Sequence, residues 1–255
     1  MDTFEFIPSA VRFRSLKIFA VAAALYLGLR FSGAQKFFVD DAGGIGALIH
    51  IIGTLYSVLY AFATYVIWGQ FTAVENEILK ESGSLKNLLV FSRPLAEKER
   101  DPIVRAVKTY ARSVVETEWG ALSRKEETEK TDRMFLQIVT SVTEVKPADD
   151  TQRAIFERLL EIANQASAHR DERLALSVKR MPRTLFVFVS VTAIMILLLV
   201  LCFPFHSVLL GLASVAITST LLLFAHFVLT DLDNPFEGTW NVGNEPFGEL
   251  ITRFS

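Results

Sequence analysis

The sequence is nearly without cysteine, and two long stretches carry no charge. Cys202 is its one cysteine, which excludes an intrachain disulfide and any cysteine-built metal cluster. It sits in an apolar run and reads as a small packing residue. Enzyme motifs are also missing: there is no Gly-rich phosphate loop, no His-x-x-x-His pair and no paired cysteines. The histidines His50, His169, His206 and His226 lie far apart. A net charge of −2 leaves none of the basic excess that nucleic-acid binding needs. Strand signals, internal repeats and low-complexity segments are absent, and no cleavable signal peptide is expected at the N-terminus.

What is present is apolar. Hydrophobic residues make up 51% of the chain and the mean hydropathy is +0.35. Charged residues still reach 21%, so the two kinds must be segregated. No Asp, Glu, Lys or Arg occurs between Arg183 and Asp231. A membrane helix needs about 20 apolar residues, so this run holds two. Phe203, Pro204, Phe205, His206 and Ser207 break it, giving a hairpin of residues 185–203 and 207–229. A second uncharged run, between Asp41 and Glu75, predicts a helix over residues 43–71 that continues into water through Val74, Ile78, Leu85, Leu88 and Leu89. Residues 16–31, with Lys17 and Arg30 near the ends, predict a further span with snorkelling side chains, or else an interfacial helix.

The expected architecture is an all-α integral membrane protein with four transmembrane helices. A cytoplasmic helical domain is inserted between the second and third. The segments are a cytoplasmic N-terminus (1–15), helices 1 and 2 (16–71), the helical domain (72–182), helices 3 and 4 (183–230) and a cytoplasmic C-terminal segment (231–255). Arg12, Arg14 and Lys17 precede the first span; Lys179, Arg180 and Arg183 precede the third. Positive residues favour the cytoplasmic side, so both termini are expected there, on the inner face of a cytoplasmic membrane. In the inserted domain, Ile103, Val107, Tyr110, Val114 and Val115 recur at helical spacing. So do Phe135, Ile138, Val139 and Val142, and then Ile155, Phe156, Leu159, Leu160, Ile162 and Ala163. Arg93-Pro94 and Asp101-Pro102 are expected to end one helix and open the next. Pro147 to Thr151 reads as a loop with an N-cap.

The second membrane helix carries the most information. His50, Gly53, Thr54, Ser57, Ala61, Thr64 and Trp68 recur every three or four residues and form a polar, small-residue stripe. The other faces carry Ile51, Ile52, Leu55, Leu59, Phe62 and Val66. Polar groups in a bilayer are costly unless they meet protein or water. Two readings fit: a helix-packing seam, or a pore lining built from several copies of the helix. In the second, Tyr56 and Tyr60 are candidate constrictions and Glu75 and Glu77 candidate rings at the cytoplasmic mouth. Gly43, Gly44 and Gly46 read as a helix entry, and His226 as a packing histidine. The mixed charges Arg124, Lys125, Glu126, Glu127, Glu129 and Lys130 read as a solvated face. The acidic turn at Asp231, Asp233 and Asn234 has oxygen ligands of the kind calcium takes, but not the spacing of an EF-hand; no cofactor or metal is expected.

The element Asp233, Asn234, Pro235, Phe236, Glu237, Gly238 resembles the signature of bestrophin-like bacterial membrane proteins. Val74, Glu75, Asn76, Glu77 and the stretch from Ser82 to Leu89 are similar to that group. So are Tyr110, Glu118 and Trp119, and Arg170 and Arg173. The resemblance runs from residue 43 to 255. It implies a homo-oligomeric ion channel of the bacterial inner membrane, with a pentamer and an anion such as chloride favoured, and a pore lined by the second helix. Bestrophins follow their Asn-Pro-Phe with an acidic cluster that helps hold calcium; here Glu237 is followed by Gly238, Thr239 and Trp240. A cation-selective channel, or a membrane-anchored sensor or scaffold whose helical domain binds a partner, stands as the alternative. Self-association, the bilayer and inorganic ions are the expected partners, with no nucleic acid.

Overall fold

The structure, a computed structural model, describes residues 9–124, 126 and 129–252, with side chains from residue 17 onward. The expected N-terminal segment through residue 8, the side chains of Arg12 and Arg14, and Lys125 and Glu127 lie outside the described residues. The regular structure is all helical, with no strand among the described residues. Its elements are α1 (Ser9–Phe31), a 3-10 turn (Ala34–Phe38), α2 (Ala42–Phe91), α3 (Glu97–Ser113), a π-helical segment (Val114–Glu118), α4 (Trp119–Ser123), α5 (Glu129–Thr143), α6 (Asp150–Ser177), α7 (Arg183–Cys202), α8 (Val208–Leu232) and α9 (Glu245–Thr252).

Three helices among the described residues are long and apolar enough to cross a membrane: α2, α7 and α8. α1 is not one of them. It carries Lys17 and Arg30 within its length, besides Arg12 and Arg14. α2 has 50 residues without a proline. At about 1.5 Å per residue it is far longer than the roughly 30 Å of a bilayer core.

The chain divides into two compact units, residues 1–68 with 180–233, and residues 69–179 with 234–255. In the first, α1 packs on α7 and α8. Ala22 and Tyr26 of α1 join Ile196, Val200, Leu201 and Val215 in a small core, against which Ile49, Ile52 and Tyr56 of α2 lie. Tyr26 is fully buried. A β-carbon on Gly211 would stand 1.7 Å from its hydroxyl oxygen, so the crossing of α1 and α8 depends on glycine there. The α7–α8 hairpin turns through Phe203 to Ser207, and Ser207 accepts a cap bond from the Leu210 amide at 3.4 Å. Gln35 donates to the Leu201 carbonyl at 3.1 Å and Arg30 to the His206 carbonyl at 3.2 Å, tying the end of α1 to this tip. Cys202 is half-buried and free.

In the second unit, α3 packs on α5 and α9, and α5 on α6. The expected stripes form its core: Ile103, Val107, Tyr110 and Val114; Phe135, Ile138 and Val142; Leu159, Ile162 and Ala163. α6 begins where the sequence puts its cap, the Asp149 carboxylate accepting from the Gln152 amide at 2.7 Å. The Asp101-Pro102 boundary is corrected. α3 starts at Glu97 and Pro102 lies inside it. Glu97 and Glu99 favour the positive N-terminal end of the helix dipole. Pro102 is early enough to forfeit one backbone bond without ending the helix.

Candidate functional site

The first unit presents the stripe on α2. Ile45, Ala63 and Ile67 are buried and define the face α2 turns to its own chain. His50, Thr54, Ser57, Ala61 and Trp68 are exposed; Gly53 and Thr64 are half-buried. Most of the stripe is therefore left uncovered by its own chain. Its hydroxyls, however, are satisfied within the helix. Thr54 donates to the His50 carbonyl at 2.8 Å, Ser57 to Gly53 at 2.8 Å and Thr64 to Tyr60 at 2.9 Å. This back-bonding removes much of the cost of facing lipid, so small size, more than polarity, sets this face apart; Ile51, Val58 and Phe62 on the neighbouring faces are exposed as well. The hydroxyl protons point into the helix, and the oxygen lone pairs remain outward.

Tyr56 and Tyr60 stack on each other, 5.9 Å between centroids and 26° between planes. Both are half-buried, and Tyr56 packs on the small core, which puts the pair on the flank of the stripe. His226 of α8 is half-buried and faces Phe186 at 4.9 Å.

The second unit separates Glu75 from Glu77. Two residues along a helix point to opposite sides. Glu75 is exposed, whereas Glu77 is turned inward. Its carboxylate accepts from Lys80 at 2.6 Å and lies 2.8 Å from His169 Nδ1 on α6. Burial raises the Glu77 pKa, but the hydrogen bonds from Lys80 and His169 outweigh it and hold the group below its ordinary value.

One turn further, the same face of α2 enters a buried cluster of charge. Arg173 Nε donates to Glu81 at 2.6 Å, and Nη2 to Glu118 at 2.6 Å and to the Tyr110 hydroxyl oxygen at 3.4 Å. Tyr110 donates its hydroxyl to Glu81 in a short contact. Arg170 bridges Glu118 at 3.0 Å and Asp132 at 2.7 Å. Burial first, and then the Glu81 charge, push the Tyr110 pKa well up, so it stays a donor. Burial opposes the Arg173 charge, but Glu81, Tyr110 and Glu118 overcome this and leave its pKa well above the ordinary value. Glu118 closes the π-helical segment, where one extra residue per turn re-aims the side chain.

The resemblance brought forward Tyr110, Glu118, Arg170 and Arg173; the structure brings them together. Glu81 and Asp132 were missed. Glu81 carried a signal: Val74, Ile78, Glu81, Leu85 and Leu88 follow one buried stripe of α2, so a carboxylate there needs a buried partner. Arg170 and Arg173 likewise continue the stripe of Leu159, Ile162 and Ala166 on α6.

The Asn-Pro-Phe element folds over this region. Asn234 donates to the Ser123 carbonyl at 3.1 Å and to Glu237 at 3.2 Å. Phe236 meets Trp119 edge-on at 5.2 Å. The Trp119 indole donates to the Val242 carbonyl at 3.3 Å, and the Val242 amide to Pro235 at 2.7 Å. Gly238 has φ +98°, a conformation that favours glycine. Asp233, in the other unit, accepts from the Met181 amide at 2.6 Å. Asp233 and Asn234 each bond to backbone, Asn234 to the Glu237 carboxylate as well, and no set of three His, Cys, Asp or Glu side chains gathers for a metal among the described residues.

Comparison with known proteins bears on this geometry. A family model described as a bestrophin-like domain matches residues 17–247. Crystal structures of a bacterial bestrophin homologue from Klebsiella pneumoniae share the fold. One single-site variant matches with a TM-score of 0.74 at 12% identity, covering 97% of this chain and 98% of that one. A second variant matches at 0.70 and 13%, covering 96% and 99%. A structure determined by Zn-SAD phasing matches at 0.68 and 13%, covering 92% and 95%. No match was found among curated proteins. The chain belongs to the bestrophin-like family, over nearly its whole length.

Proposed function

We propose that the chain is one protomer of a homo-oligomeric ion channel whose pore is lined by α2. The bestrophin fold is that of ion channels rather than enzymes, which supports conduction at the level of the family. The observation that carries the reading is the α2 stripe of seven small or polar residues, of which His50, Thr54, Ser57, Ala61 and Trp68 are exposed and Gly53 and Thr64 half-buried in the protomer. Copies of α2 set around an axis would enclose a path narrow enough to strip part of an ion's hydration, with Tyr56 and Tyr60 able to narrow it from the flank. A single protomer is too small for such a path, so the proposal includes self-association, with a pentamer favoured by family likeness. It includes α1 as a fourth span and both termini on the cytoplasmic side of a bacterial inner membrane. It includes gating without calcium.

Anion conduction is favoured by family likeness. Cation conduction is the second reading, and two observations favour it. The stripe's hydroxyls spend their protons on the helix backbone and turn lone pairs outward, and Glu75 is exposed past the stripe's end. Planar-bilayer recording of the purified protein tests both. Wild type is expected to conduct, and Ser57→Trp and Thr64→Trp to block or sharply reduce the current. Reversal potentials under a salt gradient give the sign of the carried ion. Equal currents in all three proteins, or none in any, sink the assignment.

A further inference from the structure

Two ion-pair contacts join α2 to α6 among the described residues, and they differ in kind. Glu81 pairs with Arg173 and Glu77 meets His169, while the Arg158 guanidinium lies 5.7 Å over the Phe91 ring of the same two helices. Each ion pair is one rung between the helices. The Glu81–Arg173 rung is fully buried and its guanidinium does not titrate in the physiological range. In the other, Nδ1 lies 2.8 Å from Glu77 Oε2, and the His169 side chain is 30% exposed, so water can deliver a proton.

The charged and titratable groups around this rung come from several elements. On α2 they are Lys80 and Glu81, and on α6 Arg170 and Arg173. The buried side adds Tyr110 of α3 and Glu118 of the π-helical segment. Asp132 of α5 is bonded to Arg170. Glu81, Glu118, Arg170, Arg173 and Tyr110 are engaged with one another in the cluster. Lys80 holds the second Glu77 oxygen. Imidazole is the side chain whose charge ordinarily changes between pH 5 and 8, and His169 is the imidazole in this set.

We propose that Glu77 and His169 form a proton-sensitive clasp that tightens α6 onto α2 as the pH falls through this range. With neutral imidazole, Nδ1–H donates an ordinary hydrogen bond to the carboxylate. Protonation adds a full charge to the same contact and makes it a charge-assisted ion pair. Glu77 stays ionised meanwhile, so the strengthening persists until the carboxylate itself takes a proton. The regulated element is the helix whose earlier turns carry the stripe. Its consequence for conduction rests on the channel reading; the clasp itself does not.

Hydrogen exchange read by mass spectrometry on the full-length protein in lipid nanodiscs tests it. Exchange is measured at pH 5.5 and 8.0 and corrected for the intrinsic rate. In wild type, amides of residues 74–81 and 165–173 are expected to be about two- to fivefold more protected at the lower pH, as suits a partly exposed charge pair. His169→Gln keeps a polar side chain of similar size and should flatten the ratio to one. Glu77→Gln should do the same, and His169→Arg should give high protection at both values. A wild-type ratio of one, or the wild-type ratio persisting in His169→Gln, overturns the clasp. Currents from the same nanodisc preparation, fused to planar bilayers, separate the two claims. A pH-dependent ratio without conduction removes the channel and leaves the clasp; conduction with a flat ratio does the reverse.

Discussion

Glu81 of α2 and Arg173 of α6 meet at 2.6 Å with neither side chain exposed. Burying an ion pair is not in itself a strong source of stability, because desolvation offsets most of the attraction. Leaving one partner behind is another matter. Arg173→Met would strand the Glu81 carboxylate and remove a donor from Glu118, and is expected to cost about 3–5 kcal/mol. The double variant with Glu81→Met should cost clearly less than the two single changes added, since Arg170 still holds Glu118 and no charge is stranded. Chemical denaturation in detergent, run as a double-mutant cycle, measures this. Additive losses would mean that the two side chains are not coupled.

The sequence made some of this legible. The apolar runs gave α7 and α8 to within two or three residues, because uncharged length leaves little choice in a bilayer. Asp149 announced the start of α6 through its cap. The second apolar helix was expected to run on into water. The structure carries it to Phe91, since no proline interrupts it before Pro94. α1 was harder. Its charges sit close to a short apolar stretch, and local pattern does not say whether such a helix spans. Tertiary contacts were also out of reach. Nothing in spacing alone joins Glu81 to Arg173 across 92 residues, though both stand on otherwise apolar stripes. The stripe on α2 was visible, but the back-bonding of its hydroxyls was not, and that bonding weakens the polarity argument.

The turn after α8 should be sensitive to a single methyl group. Gly238 holds φ +98°, and Gly238→Ala is expected to cost about 1–2 kcal/mol for that conformation. Phe236 is buried with its ring against Trp119, so Phe236→Ala should cost about 3–5 kcal/mol through the cavity it leaves. Thermal unfolding followed by Trp fluorescence in detergent ranks the two. A Gly238→Ala change larger than Phe236→Ala would contradict this picture of the element.

Acid should loosen the second unit in a defined direction. The Glu77 pKa is lowered in the folded protein from its ordinary 4.5. A depressed carboxylate contributes stability that is present above the unfolded value and is lost as pH falls through the folded one. Below about pH 4.5 the wild type should therefore lose stability that Glu77→Gln never had. The two denaturation midpoints, measured from pH 6 to pH 3, are expected to converge on the acid side. Parallel curves would remove Glu77 from the account.

Tyr26 supplies a test of packing within the first unit. Its ring is buried between α1 and α8 while its hydroxyl finds no hydrogen-bond partner among the described residues. A buried polar group without a partner costs about 1–3 kcal/mol, so Tyr26→Phe is expected to leave stability unchanged or raise it. Gly211→Ala should do the opposite. Its new methyl would collide with the Tyr26 hydroxyl at 1.7 Å, and overpacking of this kind costs about 1–3 kcal/mol. If that collision is the cause, shortening the tyrosine relieves it, and Gly211→Ala should be nearly harmless in a Tyr26→Leu background. Thermal denaturation of the four proteins in one detergent decides. The same loss from Gly211→Ala in both backgrounds would show that the glycine is needed for the helix itself and not for the ring lying on it.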